Sequence, residues 1–262
     1  MKYKLVMLDM DGTLLPKGQF ALDSRVVKAI RELQTAGVKV GLATGRNLPA
    51  LPNNVLNGFK PDFMVCCNGA RLLDARRNTI HTSCMTEQEM YALVDYCEDF
   101  DHPLAFVFQD GYYAYVEYEQ MKAFYDRVGG FKGLVYDGED QDHHLEGMPL
   151  AAFCSMPPDA IEGFQKKYGH LGLRFMAYSW DKYDIGRTGV DKAKGLEWLC
   201  GYAGVQPAEV VAVGDGVNDV GMIRAAGLGA SMKNGAREAV EAATQLIPEG
   251  ADAMAAFLRS LL

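Results

Sequence analysis

In the segment KLVMLDMDGTLL, residues 4–15, an apolar run ends on two carboxylates one residue apart, Asp9 and Asp11, followed at once by Gly12 and Thr13. In an extended segment residues i and i+2 point the same way, so both carboxylates can face one reactant. Gly12 permits a tight turn directly after them, and the Thr13 hydroxyl can pin that turn. Three segments far away in the chain carry groups of related use: Thr44-Gly45-Arg46 in LATGR, Lys192 in GVDKAKGLEWL, and Asp215, Asn218 and Asp219 in GDGVNDVGMI. Gathered in one place, the four aspartates would repel one another. Two like charges about 4 Å apart cost about 4 kcal/mol at an effective dielectric of about 20. A bound cation removes that cost. Oxygen-only ligands with no His or Cys beside them point to Mg²⁺ rather than zinc, and Mg²⁺ held by few protein groups keeps waters and recruits substrate phosphate. The Thr44 hydroxyl and Gly45 amide, at a strand-to-helix turn, suit an anion. Lys192 supplies a point charge; Lys194 is turned about 200° away on the same helix, so only one of the two can face the site. A metal, a hydroxyl, an amide and an ammonium around a reactive carboxylate describe a phosphoryl-transfer site.

These groups can meet only if the elements before them deliver them to one edge. Residues 3–9 form an apolar strand of the doubly buried kind. Asp23 or Ser24 can cap a helix running to about Ala36, with Val26, Val27, Ile30 and Leu33 at helical spacing and Gly37 as its stop. Strands follow at 38–44 and 63–68. Near the end, Asp191 opens a helix that stops at Gly204, residues 209–215 form a strand and 218–226 a helix. LGASM and QLIP read as short strands, 236–243 and 251–262 as helices. Strands alternating with helices predict a parallel sheet with right-handed crossovers, whose ligands bind beyond the carboxyl ends of the strands.

The middle differs. Helix 86–99 precedes a hairpin around Gln109-Asp110-Gly111; then come strand 150–156, helix 158–168 and the strands LRFMAYSW and KYDIG. The expected organisation is an α/β, doubly wound, Rossmann-like core built from residues 1–82 and 186–262, with an α+β domain inserted at 83–185.

Composition narrows the partners. The chain has 262 residues, 49% of them hydrophobic, and a formal charge of −8. That balance argues against nucleic acid and anionic membrane. No apolar stretch approaches the roughly 18 residues of a membrane span. The N-terminus reaches Asp9 too soon for the apolar region of a secretory signal, so none is expected. Six cysteines without C-x-x-C or zinc spacing read as reduced thiols of a cytoplasmic protein. The expected partner is a small-molecule phosphate ester. The oligomeric state is open, and a monomer is compatible with the sequence.

DMDGTLL, ATGR, GVDKAKGLEWL and GDGVNDVGMI together resemble the four ordered motifs of the haloacid dehalogenase superfamily of phosphatases, and more closely its Cof-type, sugar-phosphatase-like branch. The match covers essentially the whole chain, including CNGA at 67–70 and the middle insertion, which resembles a type IIB cap. The resemblance implies that Asp9 is the nucleophile that forms an aspartyl-phosphate, and that Asp11 is the general acid and then the base. Mg²⁺ would be held by Asp9, the backbone carbonyl of Asp11 and Asp215, with Asp219 in support. The Met10 amide, Thr44, Gly45, Lys192 and Asn218 would bind the phosphoryl group. Arg46, beside the phosphate turn, could bind substrate or pair with an acid. Ala193 and Gly216 depart from residues common in relatives without touching an expected ligand.

The cap would close over the site and choose the leaving group. Arg127, Lys132, His143, His144 and Arg174 are its candidate contacts, although the two histidines, in an acidic loop, are expected to be solvated. Tyr112, Tyr113 and Tyr115 are expected to pack the hairpin. The function implied is a Mg²⁺-dependent phosphomonoesterase acting on small phosphorylated metabolites such as sugar phosphates. The alternatives are a phosphotransferase or phosphomutase on the same scaffold, or a non-catalytic phosphometabolite-binding regulator.

Overall fold

The computed structural model describes residues 2–128 and 131–262. In chain order the first unit contributes β1 (Leu5–Leu8), α1 (Ser24–Thr35), β2 (Lys39–Ala43), α2 (Asn53–Leu56), β3 (Phe63–Cys66), β4 (Arg71–Asp74) and β5 (Thr79–Thr82). The second holds α3 (Glu87–Glu98), β6 (Leu104–Val107), β7 (Tyr112–Val116), α4 (Tyr118–Tyr125), β8 (Val135–Asp137), β9 (Ala151–Ser155), α5 (Pro158–Tyr168), β10 (Leu173–Ser179) and β11 (Lys182–Arg187). The chain then returns with α6 (Lys192–Ala203), β12 (Val210–Gly214), α7 (Val220–Ala225), β13 (Leu228–Met232), α8 (Arg237–Ala242), β14 (Gln245–Ile247) and α9 (Ala251–Arg259).

The first unit is an eight-stranded sheet ordered β14-β13-β12-β1-β2-β3-β4-β5. From β14 to β3 neighbouring strands run parallel. β4 turns back antiparallel to β3, with Phe63 opposite Asp74 and Cys66 opposite Arg71. That edge departs from the expected all-parallel sheet: the turn after Cys66 is too short for a helical crossover, so the chain can only reverse. β1 is buried at every residue, and its side chains alternate between faces. Leu5 and Met7 join Leu196, Leu199 and Cys200 of α6 in one apolar cluster. α1 and α9 are linked by the ion pairs Arg25–Asp252 and Arg259–Glu32. Asp23 caps α1 by accepting from the Arg25 amide, and Gly37, at φ +91°, follows its end.

β1 lies between β2 and β12, at the point where strand order reverses. The carboxyl ends of these three strands lead directly into Asp9, Thr44 and Asp215. The expected helix over 218–226 divides, because Val217–Asp219 forms a single 3₁₀ turn before α7. The Asp219 carboxylate turns back onto the amides of Asp215 and Gly216 there, tightening the entry.

The second unit comprises Thr82–Val190 together with Asn47–Ala50. Its six-stranded sheet has the order β10-β11-β9-β6-β7-β8. The expected hairpin is present, with β6 antiparallel to β7, but β8 joins parallel to β7, so the sheet is mixed. Met90, Leu93 and Cys97 of α3 and Ile161 and Phe164 of α5 pack with Phe106, Tyr115, Cys154 and Ile185 in its core. The short segment 47–50 belongs here through Asn47, whose amide N–H donates to the Tyr112 hydroxyl at 3.1 Å and whose Nδ2 donates to the Phe108 carbonyl.

Candidate active site

The sharp turn after β1 is closed by Gly12 N–H donating to the Leu15 carbonyl at 2.9 Å and by Leu15 N–H donating to that of Met10 at 2.8 Å. Gly12 has φ +92°, and a Cβ there would stand 2.2 Å from Asp215 Oδ2, so both the conformation and the space require glycine. The Thr13 hydroxyl, expected to pin this turn, is directed elsewhere, because the backbone bonds already close the turn. It donates to Asp215 Oδ1 at 2.9 Å, tying the loop after β1 to the loop after β12.

Asp9, Asp215 and Asp219 converge, with one carboxylate oxygen of each lying within 4.8 Å of the others. Lys192, 1% exposed at the start of α6, donates to Asp9 Oδ1 and Asp219 Oδ1, each at 2.6 Å. Asp191 caps that helix by accepting from the Lys194 amide at 2.8 Å, which sets the direction in which Lys192 leaves the first turn. Lys194 turns outward to Glu197 at 2.8 Å. Burial pushes the Asp9 carboxyl well above the ordinary carboxylate range, and Asp219 and Asp215 add to the shift while Lys192 opposes it. Asp215 is raised too, first by burial and then by Asp219, against the Thr13 hydroxyl. Burial works against the Lys192 charge, but Asp219 and Asp9 outweigh it and hold its pKa above the usual value. Asp9 Oδ2 is buried with no hydrogen-bond partner among the described residues. An orphaned carboxylate oxygen among three clustered carboxylates, with one ammonium to balance them, is a donor set that a hard divalent cation fits.

The Asp11 side chain does not join this cluster. Four carboxylates could have met at the sheet edge; three do. Asp11 is withdrawn onto Arg46, whose Nε and Nη2 donate to its two oxygens at 2.8 and 2.6 Å. Of the two partners expected for Arg46, substrate or an acid, the acid is the one bonded here. Thr44 is buried, and its Oγ1 accepts from the Arg46 amide at 3.0 Å, which leaves its O–H to donate elsewhere. Gly45 is exposed at the turn, Met10 is buried and Asn218 is half-buried. Asn218 Nδ2 donates to Oδ1 of Asn68 at 2.9 Å. Asn68 lies in CNGA, and its signal in the sequence is the Asn-Gly pair directly after an apolar strand.

Among the cap candidates, the two histidines depart from the solvated placement. The His143 ring stacks on Tyr113 at 3.6 Å with Nε2 3.3 Å from Asp110, and His144 Nε2 lies 2.8 Å from the Tyr91 hydroxyl. Tyr113 of the β6–β7 hairpin covers the His143 ring, and Tyr91 of α3 lies edge-on to the His144 ring with centroids 5.4 Å apart, so each imidazole has an aromatic neighbour and a polar partner. Tyr112, Tyr113 and Tyr115 pack as hairpin residues. Arg127 and Lys132 are exposed, while Arg174 is half-buried with its Nη2 3.5 Å from the Met176 sulfur.

Comparison with known proteins identifies the family. Residues 6–257 match the family model of the haloacid dehalogenase-like hydrolases. Phosphoglycolate phosphatase of Methanopyrus kandleri is 26% identical over 98% of this chain and 97% of its own. Pyridoxal phosphate phosphatase YbhA of Escherichia coli is 26% identical over the full length of both. The solved structure of the subclass IIB sugar phosphatase BT4131 superposes with a TM-score of 0.82 at 21% identity, covering 98% of each chain, which is a likeness of fold. The chain belongs to the haloacid dehalogenase-like hydrolases. It is a phosphatase of that superfamily, with an α/β core and a mixed-sheet cap domain. Among the described residues no helix is long and apolar enough to cross a membrane.

The raised carboxyls make a pH-dependent response to Mg²⁺ predictable. A folded-state pKa above the unfolded value means that Asp9 and Asp215 bind more protons in the metal-free fold than in the unfolded chain at and above about pH 4, so the contribution of these two groups to stability falls as pH rises. Metal binding requires the ionised form. The rise in melting temperature on adding Mg²⁺ is therefore expected to be small at pH 5 and to grow toward pH 8 in thermal scans. A shift equal at both values would show that no proton competes with the ion.

Proposed function

We propose that this chain is a Mg²⁺-dependent phosphomonoester hydrolase acting on small phosphorylated metabolites, sugar phosphates among them, through an aspartyl-phosphate on Asp9. The observation that carries the proposal is the Asp9 carboxylate itself: buried, anchored through Oδ1 to Lys192, with Oδ2 inside the acidic cluster and without a hydrogen-bond partner among the described residues. Asp9, Asp215 and the Asp11 carbonyl would hold Mg²⁺, with Asp219 in support. The bound ion supplies charge neutralisation for the phosphoryl oxygens and makes the carboxylate cluster tolerable.

In the first step an Asp9 oxygen attacks phosphorus, the ester P–O bond breaks, and Asp11 donates its proton to the departing alkoxide. In the second, water attacks the aspartyl-phosphate, Asp11 takes a proton from that water, and inorganic phosphate leaves with the Asp9 carboxylate restored. Splitting hydrolysis in this way replaces one difficult displacement by two easier ones. Lys192, the Thr44 hydroxyl and the Gly45 and Met10 amides stabilise the transferring group by position and charge. Arg46 holds both Asp11 oxygens away from the Asp9 cluster, so Asp11 must leave that pair before it can serve the departing alcohol. Arg46 thus sets the resting position of the acid/base group.

Substrate choice belongs, on this proposal, to the cap domain. The relatives named above act on unlike phosphate esters, phosphoglycolate and pyridoxal phosphate, at the same 26% identity, so no single metabolite is preferred.

Hydrolysis of p-nitrophenyl phosphate and a panel of sugar phosphates, with and without EDTA, tests the reading. Expected are release of inorganic phosphate with no acceptor alcohol present, loss of at least 100-fold (roughly, the scale of removing one charge-stabilising group) with EDTA, and recovery with excess Mg²⁺. Phosphate transfer that requires an added acceptor would favour a phosphotransferase. Phosphate binding without turnover would favour a regulator.

A further inference from the structure

The loop after β3 is strained in a way the catalytic assignments do not use. Cys67, Asn68 and Gly69 take φ values of +51°, +50° and +106° in succession. The left-handed region is strained for a non-glycine residue, and such strain persists only where the surroundings over-determine it. Two consecutive non-glycine residues are held there.

What holds them is the remainder of the site. Asn68 N–H donates to the Thr44 carbonyl at 3.0 Å and Cys67 N–H to that of Arg46 at 3.1 Å, so the loop is laced to the turn after β2. A Cβ on Gly69 would stand 2.1 Å from the Asp191 carbonyl oxygen, so the loop lies backbone to backbone against the residue that caps α6 and precedes Lys192. The Asn68 side chain, 9% exposed, accepts from Asn218 Nδ2 at 2.9 Å across 150 residues of sequence. Its own Nδ2 stands 3.2 Å from where a Gly45 Cβ would be. One loop therefore touches the Thr44–Gly45 turn, the Lys192 helix start and Asn218.

We propose that Asn68 is a positioning residue for phosphoryl binding: its carboxamide fixes the orientation of the Asn218 side chain, and its left-handed backbone sets the spacing between the Thr44–Gly45 turn and the start of α6. The inference rests on the phosphoryl-transfer reading above. With Oδ1 of Asn68 taking one N–H, the Asn218 amide cannot rotate freely, and its second N–H is presented in a fixed direction. An asparagine suits the position because its short polar side chain tolerates the left-handed conformation better than other non-glycine residues.

The test separates side chain from backbone. Asn68→Gly keeps the left-handed geometry accessible while removing only the carboxamide. Its Mg²⁺-loaded form is expected to melt within about 2 °C of the parent (less than about 1 kcal/mol for a chain of this size). It is also expected to bind inorganic phosphate, measured by competitive inhibition and by calorimetry, about tenfold more weakly, the equivalent of about 1.4 kcal/mol. Asn218→Ala should show a similar loss, and Asn68→Gly/Asn218→Ala should be no worse than Asn218→Ala alone, since the two side chains act as one. Unchanged phosphate affinity in Asn68→Gly, or losses that multiply in the double variant, would overturn the proposal. A parent chain that binds phosphate and hydrolyses p-nitrophenyl phosphate while Asn68→Gly matches it removes this inference alone. A parent chain that does neither removes the proposed function with it.

Discussion

Replacing Asp9 by asparagine is expected to reduce turnover of any phosphate ester on the order of 10⁴-fold or more, the scale seen when a covalent nucleophile is removed, while leaving the metal-free fold as stable as the parent or more so. The two halves of this result come from one environment. Asp9 is surrounded by Asp219 and Asp215 in a buried site that pushes its carboxyl toward the neutral form. Asparagine is neutral at every pH, so it relieves the like-charge crowding, and its carbonyl oxygen can still accept from Lys192 where Asp9 Oδ1 does at 2.6 Å. It cannot form the acyl phosphate. Activity on p-nitrophenyl phosphate and metal-free melting temperature, measured on the same preparation, check both halves. The response to Mg²⁺ should shrink as well, because one of the three converging carboxylates is gone. A folded Asp9→Asn protein with parental turnover would remove the nucleophile assignment outright. One that is inactive but markedly less stable would mean that the Asp9–Lys192 pair holds the core together more than the charge crowding loosens it.

The sequence carried the strand-terminal chemistry because that chemistry is written in short range. An apolar run followed by Asp9, another followed by Thr44 and a third followed by Asp215 announce both the strand and the group at its end. Asp191 announces the helix that starts on Lys192. What stayed hidden depends on partners remote in sequence. Whether Arg46 meets a substrate or Asp11 is decided by where two side chains can reach each other across 35 residues of chain. Asn68 takes its position from Thr44, Asp191 and Asn218, none of them local. The reversal into β4 and β5 follows a turn whose conformation rests on two non-glycine residues with positive φ, a state that local propensity argues against. Asn47–Ala50 joins the cap domain through contacts to Phe108 and Tyr112, and nothing in the composition of four residues signals that. The surroundings of His143 and His144 are hidden for the same reason: an acidic loop suggests solvent, whereas Tyr113 and Tyr91, remote in sequence, supply their aromatic neighbours.

Lys192→Met is expected to be the most destabilising substitution in the core. The side chain is 1% exposed and lies between Asp9 and Asp219, themselves almost fully buried. Methionine matches its length and packs well, so the penalty isolates charge. Removing one partner of a buried ion pair leaves the others uncompensated and typically costs about 3–5 kcal/mol. At about 2–4 °C per kcal/mol for a chain of this size, the metal-free melting temperature should fall by roughly 10 °C, and phosphatase activity should be lost with it. A second substitution shows whether charge is the cause. Asp219 Oδ2 accepts from the amides of Asp215 at 3.0 Å and Gly216 at 2.8 Å. Asparagine can keep those bonds through its carbonyl while deleting a negative charge, so Lys192→Met/Asp219→Asn should recover part of the lost stability without recovering activity. Mg²⁺ should stabilise Lys192→Met by more than it stabilises the parent, because a divalent ion can take over the neutralisation that the ammonium provided but not its place beside the phosphoryl group. If Lys192→Met melts with the parent, the acidic cluster needs no internal counter-charge, and the balance of three carboxylates against one ammonium is not what holds this end of the sheet together.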